Sequence, residues 1–465
     1  MAKLKLRGKD LIDIGYPQNK SISIAIAAML KHYKREPKEK VLRMLKEVLH
    51  APEQFKQDGI FGKIAETLTD VKKTEFRKLN ANRAPFTIFG ENEIESSAKD
   101  QLYTALKLPV SKAGALMPDA HHGYGLPIGG VLATENAVIP YGVGVDIGCR
   151  MCLSVYDIKP SFIEGHKDKY VNILEKQTRF GMSEVHGRPN DHEIFERSEF
   201  KDIPFVKKLK DKAYKQLGTS GGGNHFVEFG IIEVTSQDDV LKIPPGQYVG
   251  VLSHSGSRGL GANIAKQYTY LAMKQTPLPK EAKHLAWLDL NTHDGQEYWL
   301  AMNLAGDYAS ACHHDIHKRI AKELGARPLA IVENHHNFAW KEIIDGEELI
   351  VHRKGATPAQ KNVLGIIPGS MTAPGYIVKG KGNPLSLSSA SHGAGRVLSR
   401  SEAKRTLTRS DLKKVLNDYG VTLLGAGMDE APMAYKDITK VMANQTELID
   451  VIGMFMPKIV RMDKG

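Results

Sequence analysis

The chain has 465 residues, with 64 Lys and Arg against 53 Asp and Glu, for a formal net charge of +11. At 42% hydrophobic and 25% charged residues it has the composition of a globular protein, which excludes a disordered or fibrous chain, and the positive excess favours polyanionic partners. No apolar run reaches the roughly 18 residues of a membrane span, and no apolar segment follows the basic start MAKLKLRGKD, so the expectation is a protein with no membrane contact and no secretion signal.

Residues 1 to about 85 are dense in Lys and Glu and read as helices. Across residues 21–33 the apolar positions Ile22, Ile24, Ala25, Ala28, Met29 and Leu30 fall largely on one face, and Pro37 ends the pattern. A second helix over residues 39–49 carries Val41, Leu42, Leu45 and Val48 at helical spacing. The region is either a small helical packing unit with a solvated surface or an RNA-contacting appendage. From about residue 90 the texture changes to short apolar runs between glycine clusters, such as PIGGVLA, GQYVGVLSH and ARPLAIVE, which predict strands ending in loops. Helices are predicted over residues 257–274 and 295–324. With no recurring period and no clean βαβ alternation, residues 90–465 are expected to form an α+β catalytic domain. Its core would be a large mixed β-sheet flanked by helices.

Four segments, three of them containing glycine, concentrate metal-ligand chemistry: Gly142 to Cys149 with Asp146 inside it, Gly221 to Glu228, Ser253 to Arg258, and Glu333 to Asn337. A carboxylate, a thiol and three imidazoles drawn from separate strand ends can serve two metal ions, with the thiolate soft enough to bridge them. By ligand type alone zinc comes first. Three cysteines, Cys149, Cys152 and Cys312, are too few for a disulfide framework and point to a reducing cytoplasm. Cys149 and Cys152 form a CxxC with no second pair, which argues against a zinc ribbon. His313 and His317 stand four apart, but position 314 is His where a zincin helix needs Glu, so a surface or packing role is expected for the pair. Pro368 to Met371 and Ser391 to Arg396 are glycine-rich loops suited to cradling phosphate, with Arg396 close by. His392 inside such a loop suggests a nucleophile that attacks phosphorus.

Together these motifs resemble the RtcB family of GTP-dependent RNA-splicing ligases. The resemblance runs through MPDAHHGYGLPIGG (117–130), GVGVDIGC (142–149), GTSGGGNHFVE (218–228), HSGSRG (254–259), ENHHNFAW (333–340), VHRKGATPA (351–359), PGSM (368–371), SHGAGR (391–396) and DEAPMAYKDI (429–438). It implies a cluster of two manganese ions held by Asp146, Cys149, His225, His254 and His336, the last preferred over His335 because it directly precedes Asn. It implies guanylylation of His392 and a GTP site lined by Asn224, His225, Phe226, Val227, Glu228, His336, Asn337, Pro368, Gly369, Ser370, Met371, His392, Gly393, Ala394 and Gly395, with Lys464 against guanine. The implied substrates are RNA 3′-phosphate or 2′,3′-cyclic phosphate ends and 5′-hydroxyl ends. Arg150, Ser220, Gly375 and the pair Cys312-His313 depart from the family pattern. A two-metal phosphoesterase or nuclease without a covalent nucleotide, and a non-catalytic RNA-binding protein, are the competing readings.

Overall fold

The computed structural model describes residues 4–17, 20–69, 76–187 and 191–464. The chain divides into two compact units, Met1–Phe76 and Arg77–Gly465. The first holds the helices Gly8–Asp13, Lys20–His32, Lys38–His50 and Gly62–Thr69. Their apolar residues recur three and four apart, so each helix has one stripe to bury. Ala25, Met29, Val41, Leu45 and Val48 are fully buried there with Leu11 and Ile64, and the Tyr16 hydroxyl donates to the Leu45 carbonyl at 2.9 Å. The opposite faces leave Lys31, Lys34, Arg35, Lys38, Lys40, Arg43 and Lys46 exposed.

The second unit is built on two sheets. The smaller runs in the order Phe86–Ile88, Ser111–His121, Ile128–Thr134, Glu347–Lys354, Asn337–Ile344. The larger runs Leu364–Ile367, Gly375–Gly380, Ile449–Met462, Phe226–Val234, Gly246–Ser255, Arg150–Tyr156, Ala330–His335, with Thr422–Leu424 added in parallel on Ile449–Met462. Its two edges approach one another. The Asn334 side chain accepts from the Ile366 amide at 2.8 Å and donates to the Ile366 carbonyl at 3.3 Å, so the sheet is nearly closed. This is the mixed α+β architecture the sequence predicts. The apolar runs noted there are the strands Ile128–Thr134, Gly246–Ser255 and Ala330–His335, and the two long helices are Arg258–Gln275 and His293–Leu324.

The helix His293–Leu324 starts on the Thr292 side chain, which accepts from the Gly295 amide at 3.2 Å, and stops at Gly325, whose φ of 67° a glycine adopts without strain. It packs on Arg150–Tyr156 and Gly246–Ser255. The chain leaves the larger sheet through Ala330–His335 and enters the smaller one at Asn337, so His336 is the single residue between them. No described helix is long and apolar enough to cross a membrane.

Candidate active site

Strand alternation and tight turns deliver the expected ligands to one place. Phe226 and Met151 both lie opposite His254 in the ladder, so His254 faces the same side as they do, while its neighbours Ser253 and Ser255 face the long helix. His225 and Cys149 each stand one residue before a strand of this sheet. Asp146 sits in the turn before Cys149, and its carboxylate occupies the space that a side chain at position 256 would need, so Gly256 is the residue that admits it. The Ser257 amide donates to Asp146 Oδ1 at 3.2 Å.

The ring nitrogens that point inward are acceptors facing acceptors. His225 Nδ1 donates to the Ser220 carbonyl at 2.8 Å and His254 Nδ1 to the Asn224 carbonyl at 3.0 Å, which leaves both Nε2 atoms with lone pairs. His225 Nε2 lies 2.9 Å from Asp146 Oδ2 and 3.5 Å from Cys149 Sγ. His254 Nε2 lies 3.2 Å from the same sulfur and 3.3 Å from His336 Nε2. His336 Nδ1 is buried without a hydrogen-bond partner among the described residues. Burial holds His254 down to about 3 and His336 well below the ordinary imidazole value, which is the unprotonated form a metal takes. Burial and the adjacent Asp146 push the Cys149 thiol up, so only a cation would draw off its proton here. Packed acceptors of this kind fit one or two divalent ions. His335 turns away, its ring packed against Phe338 and Trp340.

His392 stands beside this cluster, its ring centroid 5.0 Å from that of His336. Its Nδ1 donates to Asp119 Oδ2 at 2.6 Å, and the amides of His392 and Gly393 donate to the same oxygen at 3.0 and 3.2 Å. Burial would raise the fully buried Asp119 carboxyl, but its electrostatic interaction and hydrogen bond with His392 hold it below the usual carboxylate range. Gly395, at φ 74°, lets the loop pass directly over the Asp119 carbonyl, where any side chain would collide. Asp119 lies inside MPDAHHGYGLPIGG, but the sequence does not reveal its role, because a carboxylate is legible as an orienting partner only once its histidine is known.

A cavity of about 900 Å³ joins these groups. Asp146, Cys149, His225, His254, His336 and His392 line it, together with Asn224, Phe226, Glu228, Asn337, the loop Pro368 to Met371 and Gly393 to Gly395. Val227 does not. It faces the opposite side of its strand, in an apolar cluster with Phe229 and Ile316. Lys464 is exposed and outside the cavity wall. Burial pushes the Glu228 carboxyl, within the wall, well above its ordinary value. Lys354, from VHRKGATPA, also lines the cavity, and burial lowers its ammonium to about 7. Arg396 lines it too, but its guanidinium already donates to the Asp429 carbonyl at 2.6 Å and meets Glu430, so DEAPMAYKDI supplies the anchor for this arginine.

Of the departures from the family pattern, Gly375 alone lines the cavity; Arg150, Ser220, Cys312 and His313 lie outside its wall. Arg150 pairs with Glu333 and donates to the Gly306 carbonyl at 2.7 Å, tying strand to long helix. Gly375 is buried in the cavity wall. Cys312 and His313 are buried beneath the sheet. Of the surface or packing role expected for His313 and His317, packing is what the structure shows and the surface alternative falls: both are buried and hydrogen-bonded to the strand Gly246–Ser255, because their helix lies against it.

Comparison with known proteins gives the same direction. A family model described as "tRNA-splicing ligase RtcB" matches residues 101–203 and 166–463. An RNA-splicing ligase RtcB of Escherichia coli K12 is 32% identical over 418 residues, covering 81% of this chain and 97% of that protein. A tRNA-splicing ligase RtcB of Nanoarchaeum equitans is 31% identical over 461 residues, covering 83% and 97%. An RNA-splicing ligase RtcB of Mycobacterium tuberculosis is 31% identical over 427 residues, covering 77% and 98%.

Proposed function

Because the chain belongs to the RtcB family, we propose that it is a GTP-dependent RNA ligase that joins RNA 3′-phosphate or 2′,3′-cyclic phosphate ends to 5′-hydroxyl ends in tRNA splicing or RNA repair. The observation that carries this reading is His392, fixed by Asp119 at 2.6 Å beside a cluster of acceptor atoms in a cavity of about 900 Å³. Asp146, Cys149 and His225 would hold one divalent ion and Cys149, His254 and His336 a second, with the thiolate shared. Two manganese ions bound there would neutralise charge on the phosphate oxygens.

The proton on His392 Nδ1 is held by Asp119, so Nε2 carries the lone pair. That nitrogen attacks the α-phosphorus of GTP, the bond to the bridging oxygen breaks, and pyrophosphate leaves. Asp119 then faces a ring that has become cationic and stabilises it. An oxygen of the RNA 3′-phosphate attacks the same phosphorus and takes GMP from His392. The 5′-hydroxyl attacks the activated 3′-phosphate and expels GMP. A cyclic phosphate is first opened by water to the 3′-phosphate. Asn224, Phe226, Asn337, the loop Pro368 to Met371 and Gly393 to Gly395 would hold the nucleotide, with the Glu228 carboxyl beside them as a hydrogen-bonding partner. A thiolate ligand at Cys149 suits a reducing cytoplasm, and the basic faces of the N-terminal helices would contact RNA phosphates.

Incubation with manganese and α-labelled GTP, followed by denaturing electrophoresis, tests the reading. The chain should retain label and His392→Ala should not. Metal-dependent cleavage of RNA phosphates without any labelled protein would make it a phosphoesterase instead.

A further inference from the structure

The same strands that carry the cavity ligands carry a second set of donors on their other face. Cys152 pairs with Ser253 across the ladder, and both face the helix His293–Leu324. From that helix His313 and His317, one turn apart, reach down to them. A ring nitrogen of each histidine and the Cys152 sulfur lie within 4.8 Å of one another, and all three residues are buried.

The hydrogen bonds show where each ring points. His313 Nε2 faces the Ser255 carbonyl at 3.1 Å, so it carries the proton and Nδ1 carries the lone pair. That Nδ1 is 2.6 Å from Ser253 Oγ. His317 Nε2 is 2.8 Å from the same Oγ, and its Nδ1 is held by Ser154 Oγ at 2.7 Å. With the His317 proton on Nδ1 and donated to Ser154 Oγ, each imidazole offers one nitrogen to a common point and fixes the other on an oxygen, the arrangement that orients metal-bound histidines. Burial keeps both rings unprotonated, with His317 down to about 3.

We propose that Cys152, His313 and His317, with the Ser253 hydroxyl completing a tetrahedron, form a structural zinc site behind the cavity. Thiolate plus two imidazoles is a zinc donor set, and small side-chain rotations bring the donors to the separation of about 3.4 Å that bond lengths of roughly 2.0 to 2.3 Å require. Binding expels one proton, from the Cys152 thiol, to solvent. A closed site of this kind clamps the long helix to the strands that end in Cys149 and His254, and it compensates the cost of burying a thiol and two imidazoles in a core. It departs from the sequence reading, in which Cys152 has no role.

The test is metal content of the full chain. In Cys149→Ala, where the cavity cluster is disabled, about one zinc per chain should survive dialysis against a weak chelator. Cobalt substituted into that protein should show thiolate-to-cobalt absorption in the near ultraviolet. Adding Cys152→Ala or His317→Ala should remove both the ion and the absorption. A folded Cys149→Ala protein that binds no zinc overturns the site and leaves a hydrogen-bonded serine–histidine network in its place. Should Cys149→Ala not fold, wild type and Cys152→Ala decide it: one fewer ion in Cys152→Ala supports the site and equal metal content overturns it. Neither arm reads ligase activity, so failure here is distinguishable from failure of the ligase reading.

Discussion

Two faces of one strand pair hold nearly the same donors in different surroundings. On the cavity face, Cys149, His225 and His254 point their acceptors at one another and at Asp146, beside an open volume of about 900 Å³. On the helix face, Cys152, His313 and His317 are sealed between His293–Leu324 and the strands, and the Ser253 hydroxyl links the two histidines. The contrast teaches that donor identity does not separate a reactive centre from a structural one. An open position and a path for substrate do, and these belong to the front alone.

The sharpest way to separate the faces is to remove the nucleophile. His392→Ala should lower covalent labelling by GTP by about 10⁴-fold or more while keeping its metals. It should still seal an RNA supplied with a preactivated 3′ end, and metal loss in this variant would merge nucleophile and cluster into one unit. Next comes Cys149→Ala, which should lose the cavity metals and all labelling because both ions share the thiolate. Full cavity occupancy by elemental analysis would break the assignment. Asp119→Asn should slow labelling by about 10²- to 10⁴-fold with metal content unchanged, since the amide no longer fixes the productive tautomer of His392. Single-turnover labelling rates measure it.

Smaller effects sharpen the front face further. Lys354 is cationic below its value of about 7 and neutral above it, because burial depresses it. GTP affinity should therefore fall as pH rises through that value, by up to about tenfold, and Lys354→Arg should flatten the dependence by keeping its charge. Binding titrations from about pH 6 to about pH 9 read this directly. Deleting residues 1–76 should touch neither face. It should weaken RNA binding modestly and lower the salt slope by roughly one unit per lost phosphate contact, with GTP labelling intact. A stable truncation with unchanged RNA affinity would remove the RNA-contacting reading of the basic helices.

Much of the front face was legible in the sequence. Asp146, Cys149, His225, His254 and His392 lie in glycine-containing segments whose chemistry marks them as candidates, the family resemblance singles out His336 over His335, and the amphipathic stripes of residues 21–33 and 39–49 foretold the buried Met29, Val41 and Leu45. Strand alternation also sends Val227 to the opposite side from Phe226, which a contiguous motif conceals. What remained hidden depends on residues far apart in the chain. Asp119 meets His392 across 273 positions, and Cys152 is brought beneath His313 and His317 because one helix packs on one sheet. Sequence determines which donors a segment carries and which way its period turns them. Which donors meet is decided by burial, since it is the closing of helix on sheet and loop on strand that removes water and leaves each polar atom only the partners at hand.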